Sequence, residues 1–194
     1  MAGLTLHADG LARCPWCGTS PDYVAYHDQE WGRAERDSRA LFEKLILDGF
    51  QAGLAWITIL RKRDGFRSRF EGFAPERLAC WGEAEIQAAL ADPGIVRHRG
   101  KIEATIGNAR AFLEIEKKEG DFSRFLWSFV GDKPLVSRWS STAQVPTETR
   151  EAQLLSKALK AYGFRFVGPT IVYAFMQAVG MVDDHLAGCA FAPN

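Results

Sequence analysis

The chain has no long hydrophobic run. No stretch of about 18 apolar residues occurs in its 194, so no membrane-spanning helix is expected. The opening MAGLTLHADGLARCPW has no apolar core of signal-peptide length, and a cytoplasmic location is expected. The chain also lacks net charge, with Lys+Arg 24 against Asp+Glu 24. That balance argues against nonspecific adhesion to nucleic acid or membrane as the main activity, although local patches matter more than totals. Strand-like alternation longer than a few residues, internal repeats and low-complexity tracts are missing, which argues against sandwiches and solenoids. Cysteine is scarce: four residues, at 14, 17, 80 and 189. In a reducing compartment these are thiols or metal ligands rather than disulfides.

What is present is helical. Hydrophobic content of 47% with 12% aromatic suffices for one packed domain over 1–194, with 1–12 expected as a flexible N-terminal extension. Leu41, Phe42, Leu45 and Ile46 form one stripe of a helix over 37–48, capped by Asp37 or Ser38, with Gly49 as its stop. Further helices are expected over 52–63, 75–81, 83–90, 101–118, 121–130 and 148–162. Pro169 opens another, as proline often does at a first helical position. Residues 131–147 are polar, carry two prolines and read as a surface loop. The class is all-α.

Several constellations carry chemistry. Cys14 with His27 and His185 with Cys189 bracket the chain, and two thiolates with two imidazoles make a full tetrahedral zinc set. The spacing of His185 and Cys189 would put both on one face of a helix. Ordinary core placement competes for each residue. Cys14-Pro-Trp-Cys17 offers a rival C-x-x-C, although no βαβ pattern supports a redox role. A glycine-bearing turn at Gly163–Gly168 joins two helices beside Lys157, Lys160 and Arg165. Such a turn can aim backbone amides at phosphate, or be a plain helical corner. An aspartate, Asp183 or Asp184, follows the second helix and could instead cap the segment bearing His185.

Trp16, Tyr23, Tyr26, Trp31 and Trp56 fall in the first third among polar residues. Aromatics are usually core, but walls of this kind also suit a flat, cationic heterocycle. Asp48 interrupts the apolar run LILDGF at a helix end, where a carboxylate opposes the helix dipole. That is either a functional placement or a solvated helix end. Basic clusters at 61–69 and 97–101 could form a phosphate-binding face or plain solvated surface.

These stretches together resemble the 3-methyladenine DNA glycosylase I family. The likeness runs over roughly 13–190 and rests on RCPW, YVAYHDQEWG, QAGLAWITIL, GIVRHRGKI, GNARAF, SKALKAYGFRFVG and DDHLAGC. The resemblance implies an all-α, helix-hairpin-helix DNA glycosylase-like fold whose termini are joined by a structural zinc. Its ligands here are Cys14, His27, His185 and Cys189, with Cys17 a bystander. It further implies a monomeric, monofunctional enzyme that excises 3-methyladenine flipped from double-stranded alkylated DNA, without membrane contact. Trp16, Tyr23, Tyr26 and Trp56 would surround the base, with Asp48 as the catalytic carboxylate at its edge. Gln51 and Leu54 would fill the gap in the base stack, and Gly163, Arg165 and Gly168 would hold the DNA backbone. Asp48 is one methylene shorter than the family's usual glutamate, and Asp183-Asp184 replaces an Asn-Asp pair. A zinc-stabilised damage-binding module without catalysis, or a glycosylase with a shifted lesion preference, are the alternatives.

Overall fold

A computed structural model describes residues 3–193. Its helices are α1 (Pro21–Gln29), α2 (Ser38–Gln51), α3 (Trp56–Leu60), α4 (Arg63–Arg69), α5 (Pro75–Leu78), α6 (Glu83–Ala91), α7 (Arg99–Glu119), α8 (Phe122–Ser128), α9 (Arg150–Ala161) and α10 (Pro169–Ala178). Two-residue strands pair as β1 (Thr5–Leu6) with β2 (Ala12–Arg13), antiparallel, and β3 (Leu135–Val136) with β4 (Val182–Asp183), parallel. The all-α expectation therefore holds, with two minimal ladders added. No helix of the described residues is long and apolar enough to cross a membrane.

Helix α7 is the central post. Ile102, Ile106, Ala109, Phe112 and Ile115 are buried along it, at the three- and four-residue spacing of one helical stripe. His98 caps its start by accepting from the Lys101 amide, and Gly120 ends it at φ 85°, where a left-handed turn suits glycine. Helices α2, α5, α6 and α8 pack against this post, and α10 lies between α2 and α9. The core is aromatic-rich: Phe42, Phe50, Phe66, Phe70, Phe73, Phe122, Trp127 and Phe175 are fully buried. Burial of each such ring stabilises by about 2–3 kcal/mol.

Helix α2 positions the functional end. Its start is fixed by Asp37, whose carboxylate accepts from the Arg39 and Ala40 amides at 3.0 and 2.8 Å. Gly49 does not stop it. The helix runs to Gln51, and Gly49 lies inside it facing the α9–α10 turn, where a Cβ would meet Phe166 at 3.4 Å. The following helix begins at Trp56 rather than 52, leaving 52–55 as a tight turn with Gly53 at φ 82°.

Three further expectations change. Within 1–12, residues from Thr5 onward are not a loose extension: they form the β1–β2 hairpin, to which Ala190 donates a hydrogen bond through Ala12 O at 2.9 Å. Residues 1 and 2 lie outside the described set. The 131–147 loop is stitched to β4 by β3 and contributes Thr142 and Val145 to a cavity wall. His185 and Cys189 are not on a helix; a turn with Gly188 at φ 87° joins them, because glycine there permits a left-handed residue that a helix would not.

Candidate active site

The residues expected around a base converge on one cavity of about 290 Å³. Trp16, Tyr23, Tyr26, Asp48, Gln51 and Trp56 all line it. Trp16 comes from the short turn Pro15–Cys17, Tyr23 and Tyr26 from one face of α1, Asp48 and Gln51 from the last turn of α2, and Trp56 from the start of α3. Trp16 meets Tyr23 edge-on at 5.2 Å between ring centroids, and Tyr26 meets Trp56 at 5.5 Å. The rings therefore form two connected walls rather than isolated core contacts.

Asp48 is buried, with 2% of its surface exposed. One oxygen, Oδ1, accepts from Lys44 Nζ at 2.6 Å. The other, Oδ2, is buried and has no hydrogen-bond partner, and the same holds for the indole Nε1 of Trp16 and of Trp56. Buried polar atoms are nearly always paired. Three unpaired ones on residues that line one cavity mark a place shaped for a polar, flat ligand. Burial pushes the Asp48 carboxyl up and the Lys44 amine down, and the attraction between them pulls each back toward its charged form.

Lys44 was not among the expected site residues. Its ammonium also lies 3.6 Å from the centroid of the Trp56 ring. The i, i+4 spacing of Lys44 and Asp48 on one helix was a readable signal for this pair. Trp31, Gln177 and Asp184 also line the cavity. Asp184 accepts from Gln177 Nε2 at 2.7 Å, from Trp139 Nε1 at 2.9 Å and from the Tyr173 hydroxyl. Both its oxygens are thus engaged by neighbours, which makes it a fixed part of the wall. Asp183, the other aspartate of the pair, instead holds His185 Nδ1 at 2.7 Å and Arg138 at 2.7 Å.

Behind this wall lies the cysteine–histidine group. Ligand atoms of Cys14, His27 and Cys189 lie within 4.8 Å of one another, all on buried residues. His185 adjoins them, with its ring 5.2 Å from that of His27 and its buried Nε2 without a partner. Each imidazole turns Nδ1 to a carboxylate, His27 to Asp28 at 2.8 Å and His185 to Asp183, an arrangement that reserves Nε2 for any metal the group could hold. The Cys14 thiol and His27 beside Cys189 hold its thiol well below the ordinary thiol range. Cys17 is turned elsewhere, its Sγ 3.2 Å from the Cys14 carbonyl and 3.7 Å from that of Gly18. Cys14, Trp31 and Leu186 join the group to the cavity, since all three line it and Trp31 packs edge-on against His185 at 4.5 Å. Gly32 permits that closeness: its φ is 76°, and an added Cβ would lie 2.6 Å from the His185 ring.

The helical turn between α9 and α10 sits beside the end of α2. Gly163 has φ 98°, and Gly168 precedes Pro169 as the N-cap of α10. Asn108 of α7 holds the turn, accepting from the Arg165 amide at 2.8 Å and donating to its carbonyl at 3.1 Å. Ser156 donates to the Val167 carbonyl at 2.6 Å. Leu54, at the tip of the 52–55 turn, is 41% exposed beside the cavity mouth residue Gln51.

The basic clusters are largely neutralised. Arg61 pairs with Asp22, Arg63 with Glu30, Arg67 with Glu43, Arg69 with Asp92 and Arg99 with Glu83. Lys101 is buried and donates to the Phe50 and Ala52 carbonyls at 2.8 and 2.7 Å. It caps the C-terminal end of α2, where a cation is favoured. Among the described residues, no carboxylate pairs with Arg97, Lys157, Lys160 or Arg165, so the cations near the α9–α10 turn are among those left without an ion pair. Lys101→Met should leave two carbonyls without their donor. The expected result is a loss of about 1–3 kcal/mol in urea unfolding, together with faster amide exchange across 51–55.

Residues 16–192 match the family model described as Methyladenine glycosylase. The chain is 49% identical over 184 residues to DNA-3-methyladenine glycosylase 1 of Escherichia coli (strain K12), covering 95% of this chain and 98% of that protein. It is 50% identical over 177 residues to DNA-3-methyladenine glycosylase of Haemophilus influenzae (strain ATCC 51907 / DSM 11121 / KW20 / Rd), covering 91% and 96%. Among solved structures it superposes on 3-methyladenine DNA glycosylase I from Staphylococcus aureus, studied for its recognition of 3-methyladenine. The TM-score is 0.92 at 40% identity, covering 94% of this chain and 97% of that one.

Proposed function

The chain belongs to the methyladenine glycosylase family, and from that premise we propose that it hydrolyses the N-glycosidic bond of 3-methyladenine in alkylated DNA, the first step of base excision repair. The observation that carries this reading is the aromatic cavity in which the buried Asp48 keeps one oxygen unpartnered beside Trp16, Tyr23, Tyr26 and Trp56.

The mechanism starts from the lesion. Methylation at N3 places positive charge on the ring, so the bond from C1′ to N9 is already weakened. The enzyme must lift the nucleotide out of the duplex, at a cost of a few kcal/mol. The four aromatic residues surround the extruded ring, and stacking on a cation adds about 2 kcal/mol at a desolvated face. Asp48 accepts a hydrogen bond from the exocyclic amine. As the C1′–N9 bond breaks, its electron pair stays on N9 and the base leaves neutral. Water adds to the oxocarbenium-like C1′, loses a proton to solvent and leaves an abasic site. No lysine is assigned as a nucleophile toward C1′. This supports a monofunctional enzyme without a strand-cleaving step.

On the DNA side, the α9–α10 turn acts as a helix-hairpin-helix: the amides around Gly163, Arg165 and Gly168 receive a backbone phosphate. The unpaired cations around that turn support this. Leu54, exposed at the tip of its turn, and Gln51 enter the gap left in the stack of double-stranded DNA. In this reading the enzyme acts as a monomer.

Cys14, His27, His185 and Cys189 hold one structural zinc ion in this reading. The donor set fits: Cys14, His27 and Cys189 bring their ligand atoms within 4.8 Å of one another, His185 adjoins them, and a carboxylate stands behind each imidazole. Four protein ligands leave no open position, so the ion supplies cross-linking between the chain ends and no chemistry at the base.

The test is base release from methylated duplex DNA, with the freed bases separated by chromatography. Released 3-methyladenine is the expected result. Binding to damaged DNA without any freed base would overturn the reading in favour of a damage-recognition module, and a different base would reassign the lesion.

A further inference from the structure

Lys44 stands on one oxygen of Asp48 and against the Trp56 ring, beside the place assigned above to the base. Its Nζ lies 2.6 Å from Asp48 Oδ1, 3.6 Å from the Trp56 ring centroid and 6.0 Å from that of Tyr26. A carboxylate acceptor and an aromatic face are the features that the methylated ring needs. A ring stacked on Trp56 and bonded to Asp48 brings its own positive charge against this ammonium, and two like charges in a buried space repel strongly. The ammonium must therefore leave when the ring enters.

The structure offers it a destination. Lys44 lines a second cavity of about 280 Å³ on the other side of Tyr26, together with Glu30 and Glu43. Each carboxylate already holds an arginine, Glu30 with Arg63 at 2.9 Å and Glu43 with Arg67 at 2.7 Å, and a carboxylate can accept from a second cation as well. The four-carbon stem of lysine, anchored on α2, reaches either cavity by rotating its side chain alone.

We propose that Lys44 is a resident cation that makes the base pocket selective for charge: it stands on Asp48 and Trp56 until a ring carrying its own positive charge replaces it. A cationic ring exchanges one ion pair for another. A neutral ring that expels Lys44 leaves Asp48 buried without a counter-ion, which is unfavourable. Undamaged bases are neutral and fail on this criterion, while the alkylated base passes. The proposal rests on the reading of this cavity as the base pocket.

Two rings test it at mildly alkaline pH: 3,9-dimethyladeninium, a fixed cation, and free 3-methyladenine, which is neutral there. Binding is read by Trp fluorescence. Wild-type protein should prefer the cation by about tenfold or more. Lys44→Met should bind the cation about tenfold more tightly than wild type, because the internal competitor is gone. Lys44→Gln serves as the second variant if the methionine variant does not fold.

A further readout uses protein labelled at lysine Cε with ¹³C. The Lys44 signal, displaced by the Trp56 ring current, should return to the ordinary lysine position when the cation binds. Weaker or unchanged cation binding by the Lys44 variants, or a lysine signal that stays put as the pocket fills, overturns the proposal. If methylated DNA still releases 3-methyladenine in that case, only the role of Lys44 falls. If neither ring binds and no base is released, the assignment of the pocket falls with it.

Discussion

Asp48→Asn should lower single-turnover release of 3-methyladenine by roughly 10²-fold, the scale seen when one preorganised electrostatic contact is removed from an active site. The substitution keeps the shape of the side chain and one carbonyl acceptor, so the loss reports the charge rather than the space. Two consequences follow from the neighbours. Lys44 loses its partner at 2.6 Å, and the cationic ring loses the anion that would hold its amine. Breaking a fully buried pair costs about 3–5 kcal/mol. The Lys44 side chain, however, keeps 15% exposure and lines the neighbouring cavity with Glu30 and Glu43. Its charge can be rehoused, and the expected stability change is nearer 1 kcal/mol. A near-native melting curve with a collapsed rate is therefore the predicted combination. A single-turnover rate equal to wild type would remove Asp48 from the reaction.

Cys189→Ala carries the largest expected effect on stability. In the proposed site this thiolate is one of four zinc ligands, and its loss both weakens the metal and leaves the two chain ends unclasped. Metal and folding are coupled wherever the ligand set does not exist in the unfolded chain. The expected outcome is loss of stoichiometric zinc by metal analysis and a drop of about 3 kcal/mol or more. That corresponds to roughly 10 °C in Tm for a chain of this size. Activity should fall as well, because Cys14 and Leu186 line the base cavity and Trp31 packs between it and His185. Cys17→Ala is the control: its thiol contacts only backbone carbonyls, so zinc should stay. Full zinc retention by Cys189→Ala, with loss in Cys17→Ala, would hand the site to the C-x-x-C pair.

Much of the site could be read from local pattern. The aromatic residues of RCPW and YVAYH, Asp48 in LILDGF and Trp56 after QAGLA each stand in a segment whose helical phase is set by nearby apolar residues. One face of α1 therefore delivers Tyr23 and Tyr26 together, and the last turn of α2 delivers Asp48 and Gln51. What could not be read was pairing at a distance. Lys101 looked like surface charge, because nothing nearby in sequence shows that the α2 carbonyls of Phe50 and Ala52 end beside it. Most of the basic residues at 61–69 looked available for phosphate, yet their carboxylate partners come from α1, α2 and the end of α6. The 131–147 segment looked like solvent-exposed loop, and only its ladder with β4 makes it part of the cavity wall.

The sequence by itself determined the helical class, the family and the kinds of side chain available to the site. These rest on periodicity and on residue identity, which are local. Tertiary structure decided which charges stay free, which are cancelled, and what stands next to Asp48. Electrostatic interactions depend on separation and burial rather than on order along the chain. A zero net charge therefore resolved only on folding into paired arginines, cations left without carboxylates near the α9–α10 turn, and a lysine seated between Asp48 and Trp56.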